Sequence, residues 1–422
     1  MSNSLEKNFA QKHEKLESAK KIKEERALKL AREIKRIKEK ISKEAGTIKD
    51  YQRIIELAKK IESLYNKAWE LEGKLTKKNI LVEHRVFGAI YEANFSPEGD
   101  KIVIGSNGRI MQVLSLTEGK IYERGILRPK VLAEFKTEGV VYTANFNPEG
   151  DKIVIGDSRG IMRVLSLTEG EIDEKGILRP KILVEFNVEG AVYEANFSPE
   201  GDKIVIGSSD KMMRVLSLTE GKIDERGILR PKVLAEFKTE GVVYTANFNP
   251  EGDKIVIGGN DKMMKVLSLI EDEIYRGKIL IPRVLVEFEA NGVIYEANFS
   301  PEGDKIVIVT NKGIMKVLSL TEGEIDERGI LRPKVLAEFK TRLEIYTANF
   351  NPEGDKIVIG DFDKMKVLSL TEGEIDERGI LRPKVLAEFE TEGWVYTANF
   401  SPEGDKIVIG DFYGVTKVIG EK

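Results

Sequence analysis

The 422-residue chain contains no cysteine and only two histidines, His13 and His84. The absence of cysteine excludes disulfides, thiolate nucleophiles, cysteine-ligated zinc and iron–sulfur clusters. No segment approaches the ~18 consecutive apolar residues of a membrane-spanning helix, and the N-terminus has no apolar run of signal-peptide length. We therefore expect a cytoplasmic protein.

Glutamine is also scarce, with three residues, whereas charged residues make up 33% of the chain. This usage resembles that of hyperthermophile proteins, which are rich in Lys and Glu and poor in thermolabile side chains. The net charge of −4 conceals an asymmetry. Residues 1–78 carry 22 basic and 13 acidic side chains, whereas the remainder is acidic. A basic extension on an acidic body indicates that the extension meets an anionic partner.

A repeat with a period of 51 residues, shortened to 50 in its last interval, fills residues 79–422. Its core reads ANFSPEGDKIVI or ANFNPEGDKIVI and occurs seven times. The copies begin at Ala93, Ala144, Ala195, Ala246, Ala297, Ala348 and Ala398. Each unit predicts four short strands, such as Val140–Phe146, Lys152–Gly156, Met162–Leu167 and Pro180–Phe186, with a Gly-containing connection before the fourth. Seven repeats of four strands each predict an all-β seven-bladed β-propeller.

The two ends of the repeat region complement each other. The last unit stops after its third strand, at Thr416–Lys422, while Ile80–His84 aligns with the fourth strand of other units. We therefore predict that Ile80–His84 joins the last blade as a latch strand and closes the ring, which leaves no unpaired edge.

The repeats resemble the WD-repeat family. Residues Phe197–Leu218 have that family's Pro-x-Gly turn, apolar strand, Asp-bearing loop and third strand. The Trp-Asp pair is replaced by Leu-Ser, as at Leu165–Ser166, and the Gly-His pair is absent. The resemblance implies a scaffold for protein or nucleic-acid partners and does not choose among them.

Residues 1–78 predict an α-helical coiled-coil arm, because apolar side chains recur at spacings of three, four and seven. The stripe comprises Ile34, Ile37, Ile41, Ile48, Tyr51, Ile55, Ala58, Tyr65, Ala68 and Trp69. Gly46 breaks the pattern and favours a helical hairpin, whereas the phase of the isoleucines on either side favours one long helix. Either form needs its stripe buried, so we predict a homodimer held by these residues.

The segment Lys20–Lys43 has 11 basic and 4 acidic residues. It is either a solvated helix face or a contact for a nucleic-acid backbone. The predicted contacts are Lys20, Lys21, Lys23, Arg26, Lys29, Arg32, Lys35, Arg36, Lys38, Lys40 and Lys43. No aromatic platform accompanies them, which argues against readout of bases.

No catalytic or metal-binding constellation is evident, since near-identical units do not supply groups in distinct roles. We expect no enzyme, cofactor or small-molecule substrate. One Asn per first strand forms a ring that we expect to hydrogen-bond within the blades. The units differ mainly in loops that a propeller places on one face, where exposed aromatic and Arg residues are typical interface anchors. The predicted partner-binding patch is Phe87, Arg342, Phe362, Trp394, Phe412 and Tyr413.

These features predict a non-catalytic homodimeric scaffold. The basic coiled coil before a WD-like propeller, with thermophile residue usage, resembles an archaeal ribosome-dimerisation factor. That resemblance implies a dimer that bridges two small ribosomal subunits, contacts their RNA and protein, and hinders subunit joining. The alternatives are a general protein-interaction hub with a dimerising arm and, more remotely, a propeller that binds a ligand or catalyses a reaction in its central channel.

Overall fold

The computed structural model describes residues 80–122, 125–269 and 279–420. This part of the chain is all-β and contains no helix. The predicted arm, its break at Gly46 and its boundary at residue 78 lie outside the described residues. None of the described residues forms a helix long and apolar enough to cross a membrane.

Seven units of four antiparallel strands follow one another along the chain. The first strands are β2 (Ile90–Phe95), β6 (Val141–Phe146), β10 (Val192–Phe197), β14 (Val243–Phe248), β18 (Ile294–Phe299), β22 (Thr347–Phe350) and β26 (Val395–Phe400). The second strands are β3 (Lys101–Ser106), β7 (Lys152–Asp157), β11 (Lys203–Ser208), β15 (Lys254–Gly259), β19 (Lys305–Thr310), β23 (Lys356–Gly360) and β27 (Lys406–Asp411). The second strands are buried on both faces, as their unbroken apolar sequence predicts.

The outer half of each unit is a hairpin of a third and a fourth strand. The third strands are β4 (Ile110–Ile121), β8 (Ile161–Ile172), β12 (Met212–Ile223), β16 (Met263–Ser268), β20 (Ile314–Ile325), β24 (Lys364–Ile375) and β28 (Val415–Gly420). The fourth strands are β5 (Leu127–Lys136), β9 (Leu178–Asn187), β13 (Leu229–Lys238), β17 (Arg283–Glu289), β21 (Leu331–Lys340), β25 (Leu381–Glu390) and, for the last unit, β1 (Ile80–Arg85).

The segment between third and fourth strands corrects a sequence prediction. We expected a loop there, but in most units both strands continue, so that Gly170 pairs with Pro180 and Ile172 with Leu178. Gly170 has a positive φ of 150°, and a Cβ there would lie 2.2 Å from the Arg179 carbonyl oxygen, so only glycine fits. The extended hairpin then pairs in parallel with the preceding unit, as Leu178 does with Ala133. Neighbouring units are thereby joined at their outer edge into sheets of 16 and 12 strands.

The first and last units are in direct contact. Strand β1 pairs antiparallel with β28 from Ile80 opposite Ile419 to Arg85 opposite Val415, as the sequence predicts for the latch. One buried apolar cluster contains Val82 and Ile90 together with Val408 and Val418. This cyclic order of contacts and the repeated four-stranded units are consistent with a β-propeller-like fold.

The apolar core lies between successive units. Strands β6–β8 of the second unit bury Ile153, Ile155 and Leu165 against Val103 and Met111 of the first. The glycine that ends the KIVIG segment allows the next unit to pack closely, as Gly156 shows. A Cβ on Gly156 would lie 2.4 Å from Cγ1 of Val192, so a larger residue would push the next unit away.

Candidate binding face at one end of the repeat axis

Each unit has a tyrosine two residues before the alanine of its Ala-Asn-Phe sequence, and the seven tyrosines form a closed ring. Its members are Tyr91, Tyr142, Tyr193, Tyr244, Tyr295, Tyr346 and Tyr396. Centroids of neighbouring rings lie between 5.0 and 6.2 Å apart, and Tyr396 closes the circle against Tyr91 at 5.1 Å. We name this set the tyrosine ring.

In six of the seven units a β-bulge leaves the tyrosine out of the strand pairing. In the first unit Ile90 pairs with Ser106 and Glu92 with Gly105, so that Tyr91 is the extra residue. The same register shift occurs in other units, for example between Val192 and Glu194. The tyrosine recurs with the repeat period in the sequence, but strand propensity alone explains a tyrosine in a β-strand, so its position predicted no ring.

Three glutamates follow tyrosines of the ring, in the first, third and fifth units, where the other units have threonine. Glu92 Oε1 accepts hydrogen bonds from the Asn94 amide at 3.0 Å and the Thr397 hydroxyl at 3.2 Å. Glu296 accepts from the Ala348 backbone N–H at 2.9 Å and from Asn298 at 2.8 Å. Both carboxylates are thus tied to their own strand and to a neighbouring unit, Glu92 to the seventh unit and Glu296 to the sixth.

The surroundings of these glutamates disfavour negative charge. Burial raises the pKa of Glu92 to about 8, and repulsion from Glu296 contributes in the same direction. Burial also raises the pKa of Glu194, with added repulsion from both other carboxylates. Burial raises the pKa of Glu296, while hydrogen bonds from Thr347 and Ala348 oppose the shift. The three glutamates occupy equivalent positions on inner strands, between the tyrosine of each first strand and its asparagine two residues farther on.

The ring of asparagines lies two residues farther along each first strand. Asn247 donates to Asn298 Oδ1 at 2.8 Å and to the Ala297 carbonyl at 3.0 Å, both in the next unit. Asn399 donates to the Ala93 carbonyl at 3.0 Å and so joins the last unit to the first. We predicted hydrogen bonds within units; the structure shows that these side chains also bond between units.

The opposite end of the inner strands opens into a cavity of about 620 Å³. Every unit contributes the same four positions to its wall, Asn-Phe-Ser-Pro or Asn-Phe-Asn-Pro. The Ser and Asn side chains there serve the following turn: Ser96 donates to Asp100 Oδ1 at 2.9 Å, and Asn147 Oδ1 accepts from the Lys152 N–H at 2.8 Å. Those polar groups therefore stabilise the turns, and the cavity wall repeats one chemistry seven times.

Four of the six residues of the predicted patch come together beside the tyrosine ring. Trp394 lies 5.8 Å from Phe362 and 5.2 Å from Phe412, and Phe412 lies 5.3 Å from Tyr413, measured between ring centroids. Trp394 also stacks on Tyr346 of the tyrosine ring, at 6.0 Å. We name Phe362, Trp394, Phe412 and Tyr413 the aromatic crest; Phe362, Phe412 and Tyr413 are each more than 40% exposed.

The other two patch residues lie in neighbouring loops. Phe87 is 91% exposed, in a turn whose Val86 N–H donates to the Gly414 carbonyl at 2.9 Å. Arg342 is exposed in the loop before β22. In the same loop Glu344 accepts from the Tyr346 hydroxyl at 2.8 Å. The loop of Phe87 is thus bonded to Gly414, beside Tyr413, and the loop of Arg342 is bonded to Tyr346. Among the described residues, neither Phe87 nor Arg342 makes a ring contact with the crest.

The structure does not describe the other predicted sites. The residues predicted for dimerisation and for nucleic-acid contact all lie outside the described residues. His84 Nε2 lies 2.9 Å from Gln112 Oε1, and burial lowers its pKa. Across residues 80–420, apart from the two gaps, no three His, Asp or Glu side chains are grouped to hold a metal ion.

Comparison with known proteins adds a short local similarity. No family model matches the chain. A 79-residue segment, 18% of the chain, is 28% identical to Protein hir1 of Aspergillus terreus and, over the same length, 30% identical to Protein hir1 of Emericella nidulans. Each match covers 8% of the relative's length. This similarity is local.

Proposed function

We propose that the chain is a closed seven-bladed β-propeller that acts as a non-catalytic interaction scaffold and binds a macromolecular partner through the aromatic crest. The observation that carries this proposal is the continuity of the crest with the tyrosine ring. Clustered, partly exposed aromatic side chains are typical anchors of protein interfaces. A surface made of such aromatic side chains can bind a partner, and it supplies no group that would act as a catalytic nucleophile or base.

The position of Phe362 and Phe412 strengthens the proposal. Other units have a small polar residue there that serves the fold: Ser158 Oγ accepts from the Val140 N–H at 2.9 Å, and Asn260 Oδ1 from the Val242 N–H at 2.7 Å. Phenylalanine has no acceptor, so the sixth and seventh units give up this bond and expose an aromatic ring. Such a hydrogen bond contributes about 1 kcal/mol to stability. An exchange that is unfavourable for folding points to a role in binding.

The test is photocrosslinking from defined positions of the full chain. Benzoylphenylalanine at Phe412 samples the crest, and the same residue at Ile223, which is 73% exposed on an outer hairpin, is the matched control. We expect crosslinks to a discrete partner in native extract from Phe412, absent from Ile223 and lost when Trp394 is replaced by the valine of the second unit. Equal crosslinking from both positions would refute the assignment of the face.

The partner itself is a narrower proposal. Dimerisation through the arm and bridging of small ribosomal subunits depend on residues 1–78. Sedimentation of native extract on a sucrose gradient tests them. Co-migration with small subunits or a heavier peak, with release by salt, supports the ribosomal partner; a free dimer at the top of the gradient supports a general interaction hub instead.

A further inference from the structure

We propose that the partner inserts a lysine side chain through the tyrosine ring, so that its ammonium group reaches Glu92, Glu194 and Glu296. This inference rests on the proposed function, because it names the chemistry of the partner segment that docks on the aromatic crest. It is carried by three features of the described residues: the aromatic opening, the carboxylates behind it and the neutral donors around them.

The opening has suitable dimensions for an alkyl chain. Seven centroids at the observed spacing of 5.0–6.2 Å describe a circle of roughly 6 Å radius. A chain on its axis would lie about 2 Å farther from the ring centroids than the 3.5–4.0 Å of direct carbon contact, so the circle is wide enough to admit it. The four methylenes of lysine would therefore pass through the ring with an aromatic side chain of every unit around them.

Within the described part of the chain, hydrogen bonds to these carboxyl groups come from uncharged donors. The bonds to Glu92 and Glu296 come from asparagine, threonine and backbone N–H donors, and Glu194 accepts from Asn196 at 2.9 Å. These donors are neutral, and the carboxyl groups repel one another. An entering cation would relieve this repulsion and would favour the ionised carboxylates.

The tyrosine ring and the carboxylates both favour a cationic ligand. The face of an aromatic ring attracts a cation, most strongly when water is excluded. A lysine ammonium is compact and carries three N–H donors at the end of a flexible stem. The guanidinium of arginine is a wide planar fork suited to a single carboxylate. We therefore assign the site to lysine.

The experiment uses the full chain with Trp69→Phe, which leaves Trp394 as the single tryptophan. Its fluorescence reports on the opening because Trp394 contacts Tyr346 and Tyr396. The probes are blocked pentapeptides of glycine with a central lysine, arginine, glutamine or Nε-acetyl-lysine. We expect saturable binding of the lysine peptide, at least tenfold tighter than binding of the other three.

The variant Glu92→Gln, Glu194→Gln and Glu296→Gln keeps acceptor atoms for the local donors and removes the charge. It should bind the lysine peptide at least tenfold more weakly. The matched control carries Glu225→Gln, Glu327→Gln and Glu377→Gln, the same charge change on exposed outer hairpins, and should bind normally. Thermal melts of both variants establish that they are folded.

The outcomes separate this inference from the function on which it rests. Equal binding of lysine and acetyl-lysine peptides, tighter binding of arginine, or unchanged binding by the channel variant would overturn it. So would the absence of saturable binding at millimolar peptide. If crosslinking from Phe412 still captures a partner in those cases, the interaction scaffold stands and the lysine site fails. If that crosslinking also fails, both proposals fail.

Discussion

Trp394 stacks on Tyr346, with ring centroids 6.0 Å apart and planes inclined by 22°. The contact joins the one tryptophan of the repeat region to a ring that all seven units share. Trp394 occupies a position where the second unit has Val140 and the sixth has Glu344. The crest is therefore a local addition to a symmetric element, which is how a repeat scaffold acquires one specific surface.

Replacement of Phe412 by serine should remove binding while leaving the fold intact. Serine restores the residue of the second unit, and the backbone at the two sites matches: the Phe412 N–H donates to the Trp394 carbonyl at 2.9 Å, as Ser158 does to Val140. The new hydroxyl would accept from the Trp394 N–H, which offsets the lost aromatic contacts. We expect the free energy of unfolding to change by less than about 1 kcal/mol, measured by urea denaturation. A Phe412→Ser variant with normal crosslinking from Phe362 would contradict the role of the crest.

Stability should fall as the pH rises above the ordinary range of carboxyl groups. The folded state holds a proton on Glu92 up to a pKa of about 8, whereas the unfolded state releases it near 4.5. The folded state therefore binds more protons between these values, and the free energy of unfolding decreases with pH across that window. Urea midpoints at pH 5, 6.5 and 8 measure this.

The triple glutamine variant of Glu92, Glu194 and Glu296 should show a flatter pH dependence over the same window, because it removes the raised carboxyl groups. The triple variant at Glu225, Glu327 and Glu377 is the control and should keep the slope of the native protein. Carboxylates with lowered pKa values, such as Asp224 at about 2, lose their contribution only in stronger acid and do not obscure the comparison. Identical slopes in all three proteins would show that the channel carboxyls ionise normally.

Removal of Glu185 should weaken the junction of the second and third units. Its buried carboxylate binds Arg163 at 2.7 Å in its own unit and Arg230 at 2.9 Å in the next. These arginines lower the pKa of Glu185 against the effect of burial, which itself raises it. Glu185→Ala removes this shared partner, while Arg163 keeps Asp157 at 3.6 Å and Arg230 keeps Asp224 at 2.9 Å. We therefore expect a loss of about 2 kcal/mol, as for hydrogen bonds to a charged group. Calorimetric melts measure it, with the exposed Glu225→Ala as control; equal melting temperatures would argue against the junction.

The contact between β1 and β28 should govern global stability. Val418 is 1% exposed and shares a core cluster with Val82 of β1 and with Ile90 of the first unit. Val418→Ala should cost about 2 kcal/mol through lost burial and the remaining cavity. The control Val385→Ala removes the same atoms from a side chain that is 39% exposed and should cost much less. Urea denaturation distinguishes them, and similar losses would show that the end-to-end junction contributes little.

Much of this architecture was already determined by the sequence, because the repeat period fixes which residues are equivalent. Strand order, the buried KIVIG strands and the pairing of Ile80–Arg85 with the last unit follow from alternation, turn residues and the incomplete final repeat. The extended hairpins were missed, since glycines such as Gly170 and the surrounding charges are typical of loops. Those residues remain in strands because each hairpin gains a parallel partner in the preceding unit, which no local pattern reveals.

The candidate site was likewise predicted only in part from the sequence. The departures at Phe362, Trp394 and Phe412 were visible as differences between equivalent positions, and comparison of the repeats alone singled them out. The seven tyrosines and the three glutamates of the first, third and fifth units stand in the sequence as ordinary strand residues, and no local pattern marks them as a site. The tyrosines form a ring because a bulge leaves most of them out of the strand pairing and because the last unit contacts the first. Distances around a closed circle are set by the packing of all seven units, so only the tertiary structure decided them.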